Sequence, residues 1–141
     1  MLDRYIIIDV EQMMMDYDDN RTSLEALREQ LEELSAKDIG GMDYSRERVQ
    51  TSEITDSMGV NLIRKNDLEM KIGEYETFFK VYDPAWESLN DDEKFVLMAF
   101  CAHQRKQSAA DRVCEHYGIE IAEAYRRRNK AVNRFRRLMF G

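Results

Sequence analysis

The C-terminal 21 residues carry the side chains best suited to binding a polyanion. The segment IAEAYRRRNKAVNRFRRLMFG, residues 121–141, holds seven Lys and Arg against one Glu. Residues 103–141 carry ten Lys and Arg against four Asp and Glu, a local charge of +6, while residues 1–102 carry eleven against twenty-four, or −13. Cations gathered on one segment are typical of contact with nucleic-acid phosphates. The asymmetry therefore predicts a nucleic-acid-binding end on an acidic body.

The sequence gives less support to a metal site or a catalytic site than to nucleic-acid binding. Cys101 with His103 and Cys114 with His116 form two Cys-x-His pairs, whose ligand types suit zinc. Residues two apart on a helix point about 200° away from each other, so neither pair can converge on one ion. The sequence also has no Gly-rich phosphate loop and no nucleophile elbow. We therefore expect no metal, no cofactor and no enzymatic activity.

Composition predicts the fold class and the compartment. The chain has 43% hydrophobic and 35% charged residues, six Gly and one Pro, which favours an all-α fold. Its apolar runs are far shorter than the roughly 20 residues that span a bilayer, so we expect no membrane contact. Two cysteines without a Cys-x-x-Cys pair, and no charged-then-apolar leader, indicate a reduced, cytoplasmic protein.

The first half of the chain has the pattern of a coiled-coil-like helical arm, residues 1–83. Apolar residues from Ile6 to Leu34 are spaced by four and three, which predicts one helix over about residues 2–36. The alternative is a break in DDNRTSLEA, where Asn20 interrupts the seam and Thr22 or Ser23 could cap a second helix.

A connector without periodicity, residues 37–53, separates this helix from a second one. The second seam predicts a helix over about residues 55–83 that ends before Pro84. Two seams of similar length joined by a connector suggest an antiparallel hairpin, and the same stripes could equally dimerise the chain. The arm thus predicts either a hairpin or a homodimer.

The remaining residues, 84–141, have helix caps and a Gly turn at the spacing of a helix-turn-helix domain. Asn90 and Glu93 are spaced as a capping box for one helix, and Ser108 and Asp111 for the next. Gly118 supplies the bend before a basic last helix. Such a short helix, a Gly turn and a longer basic helix predict a helix-turn-helix, with an ordinary helical hairpin as the alternative.

Two segments, LNDDEKFVLMAF and SAADRVCEHYGIEIAEAYRRRNKAVNRFRRL, resemble the promoter-reading region 4 domain of sigma factors. The shared positions are those of an L-x-x-x-E-x-x-V-L helix and of an A-L-x-x-L run: Leu89, Glu93, Val96, Leu97, Ala131, Val132 and Phe135. With the N-terminal heptads and MDYSRERVQTSE in the middle, the whole chain resembles phage-encoded RinA/ArpU-type regulators of late transcription.

This resemblance implies a DNA-binding regulator of phage type that activates late genes in a bacterial host cell. Its partner would be double-stranded DNA, with RNA polymerase as a further candidate. The heptad seams of the arm add a homodimer, or else they present the domain to another protein. The base-contacting positions of the related sigma domains fall on Ile121, Ala122, Tyr125 and Arg126. Ile121 and Ala122 replace the usual polar residues, and Glu120 replaces a Ser or Thr cap, so Ala122 offers only contact with a thymine methyl. The alternative function is an interaction protein that docks on polymerase with little DNA affinity.

A helical wheel divides the last helix into two faces. The residues predicted to point inward are Ile121, Ala124, Ala131, Phe135 and Leu138, and those predicted to point outward are Ala122, Arg126, Asn129, Asn133 and Arg137. We expect bases to be contacted by Arg126, Asn129 and Asn133. We expect phosphates to be contacted by Lys106, Gln107, Lys130 and Arg137.

Arg128 falls on the inward stripe of the wheel, and Arg127 falls at its edge. A buried guanidinium requires an acidic partner. Glu93 lies on the first helix of the same domain, so the sequence predicts a Glu93–Arg128 ion pair, with Arg127 as the alternative arginine.

Overall fold

The computed structural model describes residues 10–40, 51–102 and 106–141. They form five α helices: α1 Val10–Gly40, α2 Thr51–Glu87, α3 Asp91–Ala102, α4 Lys106–Tyr117 and α5 Ile121–Phe140. Across these three ranges there is no β-strand. The all-α prediction is confirmed.

The first helix runs without a break through DDNRTSLEA, so the single-helix interpretation is correct over the described residues. The predicted start at residue 2 lies outside them. The helix ends at Gly40, four residues beyond the predicted end, because Lys37, Asp38 and Ile39 can all adopt helix and no Pro interrupts it. Asn20 does not interrupt the helix and is itself buried.

The predicted end of the second helix at Pro84 is wrong, since Pro84 lies inside α2, which continues to Glu87. Proline lacks an N–H and costs the helix one hydrogen bond. Its own carbonyl is doubly satisfied, accepting hydrogen bonds from the Ser88 N–H at 3.1 Å and the Ser88 hydroxyl at 2.9 Å. Ala85 is buried and Trp86 packs against Phe135, so burial of the last turn offsets the lost bond.

The chain forms two compact units, one of Met1–Tyr17 with Thr77–Gly141 and the other of Asp18–Glu76. The predicted boundary between residues 83 and 84 does not coincide with them. In the first unit Tyr17 packs against the rings of Phe78, Phe79 and Tyr82, and its hydroxyl donates to Asp83 at 2.9 Å. This aromatic cluster joins the ends of α1 and α2 to the C-terminal helices.

The Asp18–Glu76 unit contains the second part of the first heptad seam and the first part of the second. Leu24 and Leu34 of α1 and Leu68 and Ile72 of α2 are buried there. On its surface Arg28 Nη2 contacts Glu76 Oε1 at 3.0 Å, which connects the two helices within one chain. Contact of this kind is what a hairpin requires.

The C-terminal helices α3, α4 and α5 share a core of small and medium side chains, namely Val96, Ala99, Phe100, Ala109, Ala110, Val113 and Ala124. The predicted capping box of α3 is confirmed. The Glu93 N–H donates to Asn90 Oδ1 at 2.8 Å, and the Asn90 N–H donates to Glu93 Oε1 at 3.0 Å.

The start of α4 differs from the prediction, because the helix begins at Lys106 and places Ser108 inside its first turn. Ser108 is therefore not the cap: apolar spacing fixes the packed face of a helix but not its first residue. The turn after α4 is as predicted. Gly118 has a φ of 65°, and the N–H groups of Gly118 and Ile119 donate to the Cys114 carbonyl at 2.7 and 3.2 Å. Only Ile119 and Glu120 then precede α5.

Replacing Asn90 tests the capping box. We expect Asn90→Ala to lower the free energy of unfolding by about 1 kcal/mol, because the Glu93 N–H loses its acceptor. Denaturant unfolding followed by circular dichroism measures this change. Ser108→Ala is the matched control and should change stability by less than about 0.5 kcal/mol, because Ser108 is exposed within a helix. Equal losses in the two variants would contradict the assignment of Asn90 as the cap.

Candidate nucleic-acid interface

Four buried residues fix how α5 is rotated about its axis: Ala124, Ala131, Val132 and Phe135. The Phe135 ring meets Tyr82 at a centroid distance of 5.1 Å and Trp86 at 5.7 Å, both edge to face. With this face buried, the opposite face must lie in solvent. It carries Ala122, Arg126, Asn129, Lys130, Asn133 and Arg137, all of them exposed.

Ile121 and Leu138 were predicted to point inward, and this is wrong: they are 47% and 42% exposed. Both lie in terminal turns of α5, where the packing that covers Ala124 and Phe135 does not reach them. Val132 is buried instead. The wheel gives directions around the helix but does not say how far along it the neighbouring helices extend.

The other predicted DNA-contacting residues differ in accessibility. Gln107 on α4 is exposed, whereas the side chain of Lys106 lies outside the described residues. Tyr125 is only half-exposed, because its ring packs on the shared core with its centroid 5.7 Å from that of Phe100. Tyr125 therefore supports the fold as well as facing outward.

The predicted Glu93–Arg128 ion pair is wrong, although Arg128 does have an acidic partner. Arg128 Nε donates to Glu11 Oε1 of α1 at 2.6 Å, and both side chains are 16% exposed. The guanidinium also lies over the Phe100 ring, 5.9 Å from its centroid. Glu11 is 117 residues away in sequence, so no pattern within the C-terminal domain could have indicated it.

Glu93 pairs instead with Arg134, which also donates to the Ser88 carbonyl at 3.4 Å. The same carboxylate caps the start of α3, so it links that capping box to α5. The alternative partner, Arg127, lies over the Tyr117 ring at 4.8 Å from its centroid. Arg127 contacts no glutamate of α3.

Glu123, in the first turn of α5, contacts two of the three consecutive arginines. It forms an ion pair with Arg126, and its Oε1 lies 3.6 Å from Arg127 Nε. The Arg126 side chain remains 70% exposed. This arginine is thus accessible to a ligand, but part of its charge is offset by Glu123.

A basic stripe of Arg127, Lys130, Arg134 and Arg137, spaced by three and four residues, lines one wall of a groove of about 700 Å³. The opposite wall comes from the start of α3 and includes Asn90, Asp92 and Glu93. Residues spaced by three and four lie on one face of a helix, so this stripe could have been predicted from the sequence. Arg127 and Arg134 were nevertheless not predicted as residues of a binding groove.

Asp92 also holds the end of α4 near this groove, since the Tyr117 hydroxyl donates to Asp92 Oδ1 at 2.8 Å. Burial and this hydrogen bond both raise the pKa of Tyr117 above its ordinary value, and the nearby Arg127 opposes the rise. The phenol therefore stays protonated and keeps donating at neutral pH.

Within the described residues, no group of three or more His, Cys, Asp and Glu side chains is placed to hold a metal ion. Cys101 and Cys114 are not disulfide-bonded, and the His116 ring stacks on Phe95 at 4.1 Å. Burial, and then the Glu11 carboxylate, raises the pKa of the Cys101 thiol. None of the described helices is long and apolar enough to cross a membrane.

Comparison of this chain with protein-family models, with curated proteins and with solved structures found no match.

A double-mutant cycle measures what the Glu11–Arg128 pair contributes. We expect a coupling energy of about 1–3 kcal/mol between Glu11→Ala and Arg128→Ala, because both partners are largely desolvated. The control cycle uses the exposed pair of Arg28 and Glu76 and should give about 0.2–1 kcal/mol. Equal coupling energies in the two cycles, measured by denaturant unfolding, would show that the Arg128 pair is no stronger than a surface contact.

Proposed function

We propose that this chain is a sequence-specific DNA-binding transcription regulator of phage type that activates late genes. In this proposal α4, the turn at Gly118 and α5 act as a helix-turn-helix, with α5 in the major groove. The observation that carries the proposal is the exposed face of α5, which combines cationic and amide side chains on a helix whose other face is packed.

The side chains on that face match the chemistry of DNA. A guanidinium such as that of Arg126 can donate two hydrogen bonds to guanine, and the amides of Asn129 and Asn133 can pair with adenine. Lys130 and Arg137 are exposed cations on the same face, which suits contact with phosphates. Because these groups project from a rigid helix, their spacing along the groove is set before binding.

The acids nearby limit how much positive charge is available to DNA. Of the seven cations of α5, Arg126 and Arg127 share Glu123, Arg128 pairs with Glu11, and Arg134 pairs with Glu93. Among the described residues Lys130, Arg136 and Arg137 form no ion pair. A single unit therefore binds DNA modestly, and a homodimer through the helical arm would double its contacts. That dimer belongs to the proposal and is measurable by sedimentation equilibrium.

Two substitutions on α5 test base contact against phosphate contact. We expect Arg126→Ala to weaken binding to a selected DNA site at least tenfold, and binding to random DNA about threefold or less. Lys130→Ala should weaken binding to both DNAs by similar factors, because phosphates are the same in every sequence. Fluorescence anisotropy at fixed salt, with the site obtained by selection from a random pool, measures both. Equal losses for both variants on both DNAs would show that Arg126 does not contact bases.

The same assay separates the proposal from the alternative of a polymerase-docking protein. Retardation of promoter DNA that falls steeply with added salt supports the proposal. Co-purification with RNA polymerase, without retardation at any salt concentration, would support the alternative.

Replacing Glu123 should raise DNA affinity, whereas replacing Arg126 or Lys130 should lower it. We expect Glu123→Gln to raise affinity for random DNA several-fold, because it removes the negative charge that contacts Arg126 and Arg127. Glu25→Gln is the matched control, an exposed glutamate in the Asp18–Glu76 unit, and should leave affinity nearly unchanged. If Glu123→Gln left DNA affinity unchanged, the first turns of α5 would not lie against the duplex.

A further inference from the structure

Within the Asp18–Glu76 unit, α2 has two different seams. The inner seam is buried and includes Leu68 and Ile72. The outer seam is exposed or half-exposed and follows the same four-three spacing through Gly59, Ile63, Asn66, Met70 and Gly73. Heptad spacing keeps residues in line along a helix, so the outer seam is a continuous strip that a second helix can follow.

The apolar residues of the outer seam are unusually exposed. Ile63 is 71% exposed and Met70 is 62% exposed, and the adjacent Val60 and Leu62 are 63% and 59% exposed. Single exposed apolar residues are common, but Ile63 and Met70 lie on one face of the helix with Leu62 at its edge, and exposed apolar residues grouped in this way are typical of an interaction site.

The two glycines give this strip room for a close partner. A Cβ atom added at Gly59 or at Gly73 would meet nothing within 4 Å. No packing within the unit therefore requires glycine at either position, and a helix interior disfavours glycine relative to alanine. Small residues at seam positions allow the backbone of another helix to approach closely. Asn66, between Ile63 and Met70, is the kind of single polar residue that fixes the register of such a pairing.

The charges beside the strip indicate which partner fits. Asp67 and Glu74 lie on one side of it and Glu69 lies on the other; Asp67 is already paired with Lys71 at 3.0 Å. A second copy packed in parallel would bring Glu69 of one chain toward Glu74 of the other, which is repulsive. Basic side chains flanking an apolar seam would instead be attracted on both sides.

We propose that the outer seam of α2 binds an amphipathic helix of another protein, one with an apolar seam and Lys or Arg on its flanks. Ile63 and Met70 would supply the apolar contacts, Gly59 and Gly73 the space for the approaching backbone, and Glu69 and Glu74 the charge selectivity. This mode is helix-on-helix recognition with acidic flanks. It does not depend on DNA binding by α5, and it requires the homodimer of the proposed function to form through a surface of the arm other than this seam.

The test uses the full chain and three synthetic 28-residue helical peptides. The first has Leu at the a and d positions of four heptads and Lys at e and g, the second has Glu in place of Lys, and the third scrambles the first. We expect the Lys-flanked peptide to bind with a micromolar dissociation constant measured by calorimetry, and the other two to bind at least tenfold more weakly. Equal binding of the Lys-flanked and scrambled peptides would overturn the proposal.

Variants of the chain locate the site. Ile63→Glu should weaken the Lys-flanked peptide at least tenfold, and Met98→Glu, an exposed methionine on α3, should leave its binding unchanged. Gly73→Ala should weaken binding while the thermal midpoint of the free chain stays equal or rises, because alanine favours helix. Glu69→Lys combined with Glu74→Lys should transfer the preference to the Glu-flanked peptide.

Two further outcomes would overturn the occupant that we propose. One is a homodimer, seen by sedimentation, that Ile63→Glu dissociates, since a second copy would then cover the seam. The other is peptide binding that persists in Ile63→Glu, since the peptide would then bind elsewhere. Circular dichroism of each variant, compared with the unchanged chain, shows that the helices are retained.

Discussion

Burial of Phe135 determines what the rest of the C-terminal unit presents to solvent. Its ring is fully buried and packs edge to face on Tyr82 and Trp86, which lie on either side of Pro84 near the end of α2. An aromatic ring held on two sides leaves α5 little freedom to rotate about its axis. Because Phe135 and Ala131 hold one face of α5 against the core, Arg126 and Asn129 on the other face are exposed to solvent. The same contacts explain why α2 continues past its proline, since ending there would expose Trp86.

With α5 held in this rotation, three glutamates from different parts of the chain contact four of its six arginines. Glu11 holds Arg128 in a largely desolvated pair, Glu93 holds Arg134 beside the start of α3, and Glu123 contacts Arg126 and Arg127 from within α5. Each pair costs desolvation and side-chain entropy, so its net contribution depends on burial. Arg128 is consequently structural, whereas Arg126 keeps most of its side chain in water. The triple arginine is three residues with three different surroundings.

Local signals in the sequence predicted the features that depend on neighbouring residues. The Asn90–Glu93 capping box, the turn at Gly118 and the unbroken first helix all follow from interactions within a few positions along the chain. The predictions were wrong where a contact with a residue distant in sequence determines the structure. Glu11 is the partner of Arg128 from 117 residues away, and the last turn of α2 survives Pro84 because a ring on α5 packs against it. Such pairings depend on which helices meet, and apolar spacing alone does not specify that.

The second helix, α2, has one heptad seam that is buried within its unit and another that remains exposed. Its inner seam is buried in the Asp18–Glu76 unit, so the exposed Ile63 and Met70 are not needed for the folding of that unit. Their exposure costs solubility and contributes nothing to the core, and the helix binding proposed for this seam would account for it. Acidic residues beside the seam add selectivity, because they repel a like-charged helix and attract a basic one. In the two proposals made above, the negative charge of this half of the chain would discourage contact with DNA and favour a basic helical partner.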